Sequence, residues 1–541
     1  MKKPFLNASC LGRIDRCDGR GRCFHVAVPC RPGDPILSED PYEAVLYNDS
    51  VQSRCHHTFH ESQQLLRCSG CRFARYSSRA AQKAAWAEGH KEECAALRAC
   101  APRVPPATVR LAARLLWKHA RQSPGKGGLP ANVETLEHHW DSLPDSRKQT
   151  LAQMAVLTRE YMAGAGAPDL LAPREVAHLL ARFSCNSHTI CDEELRVTGV
   201  GLYPVGAMLN HSCTPNAFQS FAGKRIVFRA VQPLAAGQEA TISYVELAAT
   251  RAERRAALLE GYCFDIDAVK AVEAQPVTER VIPGHDRSAQ LKLYSSSPHV
   301  MDQHDVALTS LNSSVGGNAS VQKGAEDSAD ASAAQDFESL EEPVPGSQAG
   351  GSSMQPAAVI ECWSRQGGMD GAELARDAEP CVEVLRSAAV QHHAAESSLA
   401  ADDPHGAVAA GKAGLRQLDR CHPHAQEHVW RMRLLAVLLR AQVCAGDSWP
   451  DALDTARRLT PFYKRLYPKV WPTLGLHHAS VAKIASLLEQ DVTALKASQA
   501  AADILQYTHP ESPVLQEQWQ LLYNLQREKG SRSDALELQD V

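Results

Sequence analysis

The sequence predicts an α+β protein: a strand-rich core interrupted by a cysteine- and histidine-rich segment and by helices, then an all-helical tail. Three observations lead there. Residues 1–50 and 198–247 carry short extended runs between turn residues, nine of the 17 cysteines fall within the first 100 positions, and a helical pattern near the end repeats at a spacing of 42.

The elements follow in order. Residues 1–50 read as short strands and turns, ending in Asp34-Pro35-Ile36-Leu37 and Pro41-Tyr42-Glu43-Ala44-Val45-Leu46. Residues 51–94 hold the Cys/His cluster. After Pro105-Pro106, positions Val109, Ala112, Leu116 and Ala120 share one helical face, as do Val176, Leu179, Leu180 and Phe183. This assigns residues 95–197 to a helical insertion. Residues 198–267 return to strands, with Ile226, Phe228 and Ala230 alternating against Val227 and Arg229 behind a turn at Gly223. From 268 to 375 the chain is rich in Ser, Gly, Ala and Asp. Its centre, Ser313 to Pro356, offers too little apolar surface to offset chain entropy and reads as a disordered linker. Over 376–530, Ala452-Leu453 with Pro468 recurs as Ala494-Leu495 with Pro510, and a weaker copy, Ala407-Val408 with Pro423, precedes them by 45. Such units suggest stacked helix pairs of the tetratricopeptide type, with an irregular helical bundle as the alternative.

Bulk properties bound the function. At 541 residues the chain is too long for one core. The net charge is −5, yet residues 313–356 alone carry seven carboxylates against one lysine. The remainder is close to neutral, so direct nucleic-acid binding has no support from charge. No stretch of about 18 apolar residues suggests a membrane span. The opening MKKPFLNASCLG is too short and polar for a signal peptide, so reduced thiols and a cytoplasmic or nuclear protein are expected.

The chemistry sits in a set of motifs: Gly19-Arg20-Gly21, Cys185-Asn186-Ser187-His188-Thr189-Ile190, Gly201-Leu202-Tyr203-Pro204, Asn210-His211-Ser212-Cys213-Thr214-Pro215-Asn216, Gly237-Gln238-Glu239-Ala240-Thr241-Ile242-Ser243-Tyr244 and Gly261-Tyr262-Cys263-Phe264. Singly each is weak, since a Gly-x-Gly marks only a flexible turn and a strand tyrosine is usually core. In this order they resemble the SET and MYND domain family of protein-lysine methyltransferases, from about Gly12 to Phe264 and again over the helical tail. The resemblance implies a SET-domain β-fold (1–50 and 198–267) interrupted by a MYND-type zinc finger (51–94), and S-adenosylmethionine as cofactor.

It also implies roles. Methyl transfer from a sulfonium to an amine is an in-line displacement that needs a neutral lysine held about 3 Å from the methyl carbon. An aromatic channel desolvates that lysine and favours its neutral form. By resemblance Tyr244 is the catalytic tyrosine and Tyr262 the second channel wall. Gly19, Arg20 and Gly21 let the backbone approach the cofactor, Asn186, Asn210 and His211 bond its polar groups, and Phe264 stacks on adenine. A turn bridging strands is the alternative reading of Asn210 and His211. At His188 the family usually has phenylalanine lining the channel, so this chain is expected to carry a group there that titrates near pH 6.5.

The finger resembles one with two zincs on interleaved ligand sets. Cys68, Cys71, His90 and Cys94 keep one set, at Cys-x-x-Cys and His-x-x-x-Cys spacing that suits a closed, structural tetrahedral zinc. The other set falls at Cys55, Thr58, Ser77 and Ala81, and a third family site pairs Cys213 with Ile266, Ala268 and Ala271. With most ligands replaced, one zinc is expected. In the family the third zinc anchors the segment carrying Tyr262 and Phe264. The expected activity is protein-lysine methylation of a histone or other protein. The alternative is a catalytically weak or inactive scaffold that binds peptide partners through finger and helical repeats.

Overall fold

The computed structural model describes residues 8–17, 20–123, 128–166, 171–266, 371–420 and 428–537. Gly19, Ala268, Ala271, Pro423 and almost all of the 268–375 segment lie outside the described residues.

Thirteen strands in the described residues form small sheets rather than one large one. The largest orders β1 (Ala8–Cys10), β4 (Pro35–Glu39), β12 (Arg225–Ala230) and β11 (Ala217–Ala222), so strands from either end of the first 250 residues meet. The expected alternation in β12 holds: Ile226, Phe228 and Ala230 are buried, and Val227 and Arg229 are not. Its hairpin with β11 turns at Gly223, whose φ of +59° favours glycine and where a Cβ would stand 2.3 Å from the Thr58 carbonyl. A hairpin joins β2 (Gly12–Cys17) to β3 (Gly21–Val26), and β5 (Glu43–Leu46) pairs with β9 (Val197–Leu202). Strands β10 (Asn210–His211) and β13 (Thr241–Ile242) run parallel and bring the asparagine-histidine motif beside the strand that leads to Tyr244.

The insertion is helical up to α6 (Pro173–Asn186), but β8 (Ser187–Cys191) follows without a break and pairs with β9. The helical range therefore ends at Asn186, eleven residues before the expected boundary at 197. Val109, Ala112 and Leu116 of α3 (Ala107–Gln122) and Val176, Leu179, Leu180 and Phe183 of α6 are buried in one core. The Cys/His-rich segment contributes β6 (Leu66–Arg67), β7 (Arg75–Tyr76) and α1 (Arg79–Ala85), and α2 (Lys91–Cys100) runs from its end into the insertion. In the insertion stand α4 (Ala131–Glu134) and α5 (Asp145–Ala163), and α7 (Arg251–Tyr262) follows the last strand.

Seven helices make the tail among the described residues: α8 (Gly371–Ala400), α9 (Pro404–Asp419), α10 (Val429–Ala445), α11 (Trp449–Leu466), α12 (Pro472–Leu487), α13 (Asp491–Thr508) and α14 (Pro513–Glu537). The spacing of 42 is the distance between the starts of α11 and α13, and Pro468 and Pro510 fall in the loops that follow them. Small residues let helices approach, as at Gly475, where a Cβ would meet Leu505 at 2.9 Å. The tail docks on the strand core through Phe218, whose ring lies 5.1 Å from Trp471 and 5.9 Å from His509.

Candidate active site and metal centre

Tyr244 leaves β13 beside the β10 motif. His211 Nδ1 accepts the Tyr244 backbone N–H at 3.0 Å, and the Tyr244 hydroxyl donates to the Leu209 carbonyl at 2.7 Å. The Tyr262 ring, at the end of α7, lies 4.6 Å from that of Tyr244 at an interplanar angle of 31°. His211 packs between them and Phe264, with ring separations of 5.5 Å and 6.3 Å. Four of the expected site residues thus form one aromatic corner. Burial raises the Tyr244 phenol above its ordinary value, with Tyr262 adding to it, and pushes Tyr262 up to about 12. Both stay protonated at neutral pH. Burial holds the His211 imidazole down at about 3, with the Arg254 cation reinforcing it, so His211 is neutral and can serve as an acceptor.

A polar chain runs beside the rings. Asn210 Nδ2 donates to the Arg22 carbonyl (3.1 Å), to Cys23 Sγ (3.3 Å) and to Glu239 Oε1 (2.9 Å). Glu239 also meets Arg20 at 3.1 Å. Asn186 Nδ2, at the end of α6, donates to the carbonyls of Glu137 and Arg182, both at 2.8 Å. The structure thus brings Arg20, Asn210, His211, Tyr244, Tyr262 and Phe264 to one region, whereas the side-chain bonds of Asn186 go to the backbone of Glu137 and Arg182. Glu239, quoted only as part of a motif, is the acceptor that joins Arg20 to Asn210. Its signal was available in the Gly-Gln-Glu turn. The Leu209 carbonyl carries no sequence signal at all.

His188 differs from expectation. It is buried, its Nδ1 lies 2.8 Å from Gln219 Oε1, and its ring contacts are Tyr203 (5.7 Å) and Phe228 (5.6 Å), neither in the tyrosine pair. Burial lowers the imidazole to about 4. A group titrating near pH 6.5 is therefore not what this position supplies.

In the finger, the ligating atoms of Cys68, Cys71, His90 and Cys94 all lie within 4.8 Å of one another. Cys68 Sγ stands 3.8 Å from Cys94 Sγ, and Cys71 Sγ 3.7 Å from His90 Nε2. Two sulfurs bound at about 2.3 Å to one tetrahedral zinc would be roughly 3.8 Å apart, so the four residues could hold one zinc ion. His90 Nδ1 faces Glu93 Oε2 at 3.2 Å, the carboxylate support that fixes a ligating imidazole. Glu93 is fully buried and also faces His56 Nε2 at 3.0 Å and Arg114 at 2.7 Å. His56, His90 and Glu93 are themselves close enough to be metal donors, but as one shared carboxylate behind His90 they support the first group. At the other expected set, burial pushes the Cys55 thiol up, while hydrogen bonds from Ser77 and Thr58 outweigh it and leave the thiol below its ordinary value. Cys55 and Ala81 are buried in a small cluster with Ala74, Tyr76 and Ala85.

These features define a SET-domain protein, and the SET domain family model matches residues 35–245. The mouse histone-lysine N-methyltransferase SMYD3 is 35% identical over 253 residues, which cover 46% of this chain and 59% of that protein. Human N-lysine methyltransferase SMYD2 is 32% identical over 266 residues, covering 48% and 60%. The Arabidopsis thaliana histone-lysine N-methyltransferase ASHR1 is 28% identical over 518 residues, 93% of each chain. The match with SMYD3 spans under two thirds of that relative, whereas that with ASHR1 runs through the helical tail. Together these matches support the SET and MYND domain-containing methyltransferase family.

Proposed function

We propose that this protein is a protein-lysine N-methyltransferase using S-adenosylmethionine. The observation that carries the reading is the aromatic corner of Tyr244, Tyr262, His211 and Phe264 beside the Asn210–Glu239–Arg20 chain. The surroundings fit such a cofactor. Gly21 has φ of +72° with nothing within 4 Å of where its Cβ would stand, so a ligand can approach that backbone. Cations at Arg20 and Arg22 suit its carboxylate, and the acceptors Glu239 and Leu209 O suit its positive groups. Arg20, Gly21, Asn186, Asn210, His211 and Phe264 are the residues assigned to hold it.

When bound, S-adenosylmethionine supplies an electrophilic methyl on a positively charged sulfur. The chain's own residues do the rest. Tyr244 and Tyr262, half-buried and stacked, admit a flat-walled alkyl stem and strip water from the amine it carries, which favours the neutral nucleophile. The Tyr244 hydroxyl keeps its proton in the bond to Leu209 and turns its lone pairs toward the reacting centre, where they orient rather than abstract. The amine's proton leaves to solvent after transfer. The substrate is a lysine of a histone or another protein, met in the cytoplasm or nucleus. The helix pairs of the tail, read as tetratricopeptide-like, and the finger, read as a MYND module with one zinc, present surfaces for peptide partners. No described helix is long and apolar enough to cross a membrane.

The test is incubation with labelled cofactor and a lysate, repeated with Tyr244→Phe. Labelled protein that is lost in Tyr244→Phe supports the reading. No label in either sample, together with no cofactor binding by calorimetry, sinks it.

A further inference from the structure

The segment that carries Tyr262 and Phe264 leaves α7 by an unfavourable route. Cys263 adopts φ of +53°, a left-handed conformation that glycine occupies without cost and a side chain does not. The turn is closed by backbone bonds from Cys263 N–H to the Leu259 carbonyl (3.2 Å) and from Phe264 N–H to the Leu258 carbonyl (3.3 Å). Positions Cys213 and Ile266 could not share a metal with Ala268 and Ala271, because alanine and isoleucine carry no donor atom. Besides the two backbone bonds, a side-chain contact holds the turn.

A two-pronged ion pair spans it. Arg255 Nε donates to Asp265 Oδ1 at 2.7 Å and its NH2 group donates to Oδ2 at 2.6 Å, so one side chain of α7 grips the residue immediately after Phe264. The start of the same helix is held in a similar way. Arg433 of α10 donates to both oxygens of Glu253 at 2.9 Å and to the Ala248 carbonyl at 3.2 Å. Between these two forks lie Tyr262, packed on Tyr244, and Phe264, packed on His211.

We propose that Arg255 and Asp265 are positioning residues that lock Tyr262 and Phe264 into the site, a task a metal cannot perform in this chain. The inference rests on the methyltransferase reading. Neither residue needs to touch cofactor or substrate; they act by cancelling the strain of the Cys263 turn and fixing where Phe264 points. A fork of this kind is salt-sensitive, because both partners are partly exposed, at 40% and 26% of the side chain.

The experiment measures binding of S-adenosylhomocysteine by calorimetry to the full chain, with thermal unfolding alongside. Arg255→Ala is expected to weaken binding about five- to tenfold, the scale of a partly exposed bidentate pair. Asp265→Asn, which keeps shape and loses charge, is expected to weaken it less. The reciprocal swap Arg255→Asp with Asp265→Arg is expected to recover binding to within about threefold, which a loss of packing alone would not permit. Cys263→Gly placed on Arg255→Ala is expected to regain part of the lost affinity by relieving the strained turn. Unchanged melting with weakened binding supports positioning. Binding by Arg255→Ala as tight as wild type, or no recovery in the swap while the protein stays folded, overturns it and leaves the proposed activity standing. No binding by wild type overturns both.

Discussion

Replacing Glu93 by glutamine tests what ties the finger to the rest of the protein. The change keeps volume, so no cavity is made; it removes one negative charge that faces Arg114 at 2.7 Å, Arg110 at 3.7 Å, His56 at 3.0 Å and His90 at 3.2 Å. Arg110 is fully buried and Arg114 nearly so. Arg114 retains Glu43 at 3.0 Å, but Arg110 is left with no carboxylate, only the carbonyl and amide oxygens of Leu46 and Asn48 and the face of the Phe73 ring at 5.1 Å. Removing one partner of a buried ion pair costs roughly 3–5 kcal/mol, because the orphaned charge remains desolvated. For a body of 150–250 residues each kcal/mol moves the melting midpoint by about 2–4 °C, so Glu93→Gln should melt about 10 °C below wild type. The same change removes the acceptor behind His90, and zinc affinity should fall by about 10–100-fold in a chelator competition. Arg114→Met with Glu93→Gln should cost less than the two single costs added together. Melting within about 2 °C of wild type, with zinc held as tightly, would refute a bridging role for this carboxylate.

Other outcomes follow from the same structure. His188→Phe should leave the pH–rate profile unaltered between about pH 5.5 and 8.5, since the imidazole at about 4 is already neutral there; a shifted limb would contradict its placement. The buried His188, His428 and His509 are each held at about 4 by burial, below the ordinary 6.5. The unfolded chain then binds more protons in that window, so stability is full above pH 6.5 and falls toward pH 4, by up to about 3 kcal/mol for each histidine. Acid unfolding curves that stay flat from pH 6.5 to 4.5 would disprove this. Arg433→Ala should cost about 1 kcal/mol, discounted for partial exposure, and raise hydrogen exchange in α7 more than in α12. Chelation should release one zinc per chain and expose residues 66–94 to exchange while β11 and β12 stay protected; release of three would show that the ligand assignment is wrong.

Much of this was legible in the sequence where local pattern and tertiary burial agree. The alternation in β12, the apolar faces of α3 and α6, the four-residue zinc set and the spacing of 42 between α11 and α13 needed no knowledge of distant partners. What escaped was decided by residues far apart in the chain. Strand β8 follows α6 with no glycine or proline between them, and only its pairing with β9 marks it as a strand. Arg110 and Arg114 lie on the far side of α3 from Val109, Ala112 and Leu116, yet both are buried because Glu93 and Glu43, 17 or more positions away, come to meet them. The roles of Arg255 and Asp265 were equally hidden, because an ion pair ten residues apart across a left-handed turn has no periodic signature.

The finger and the α7 turn answer the same problem differently. In the finger, the positions without ligands have closed over: Ala81 packs with Cys55 in an apolar cluster, and Ser77 and Thr58 satisfy the thiol with hydrogen bonds. A buried donor set that loses its ion must either be neutral and satisfied or be replaced by apolar atoms, and this site does both. At the α7 turn there is no core to close over, since the segment from Tyr262 to Ile266 remains half-exposed where ligands must enter. Apolar packing could not hold it without blocking the site. A charged fork can, because it takes its strength from geometry at the rim and leaves the aromatic faces open. The parts of the site that must stay accessible are therefore held by polar contacts from outside, whereas the parts that need only be rigid are held by packing.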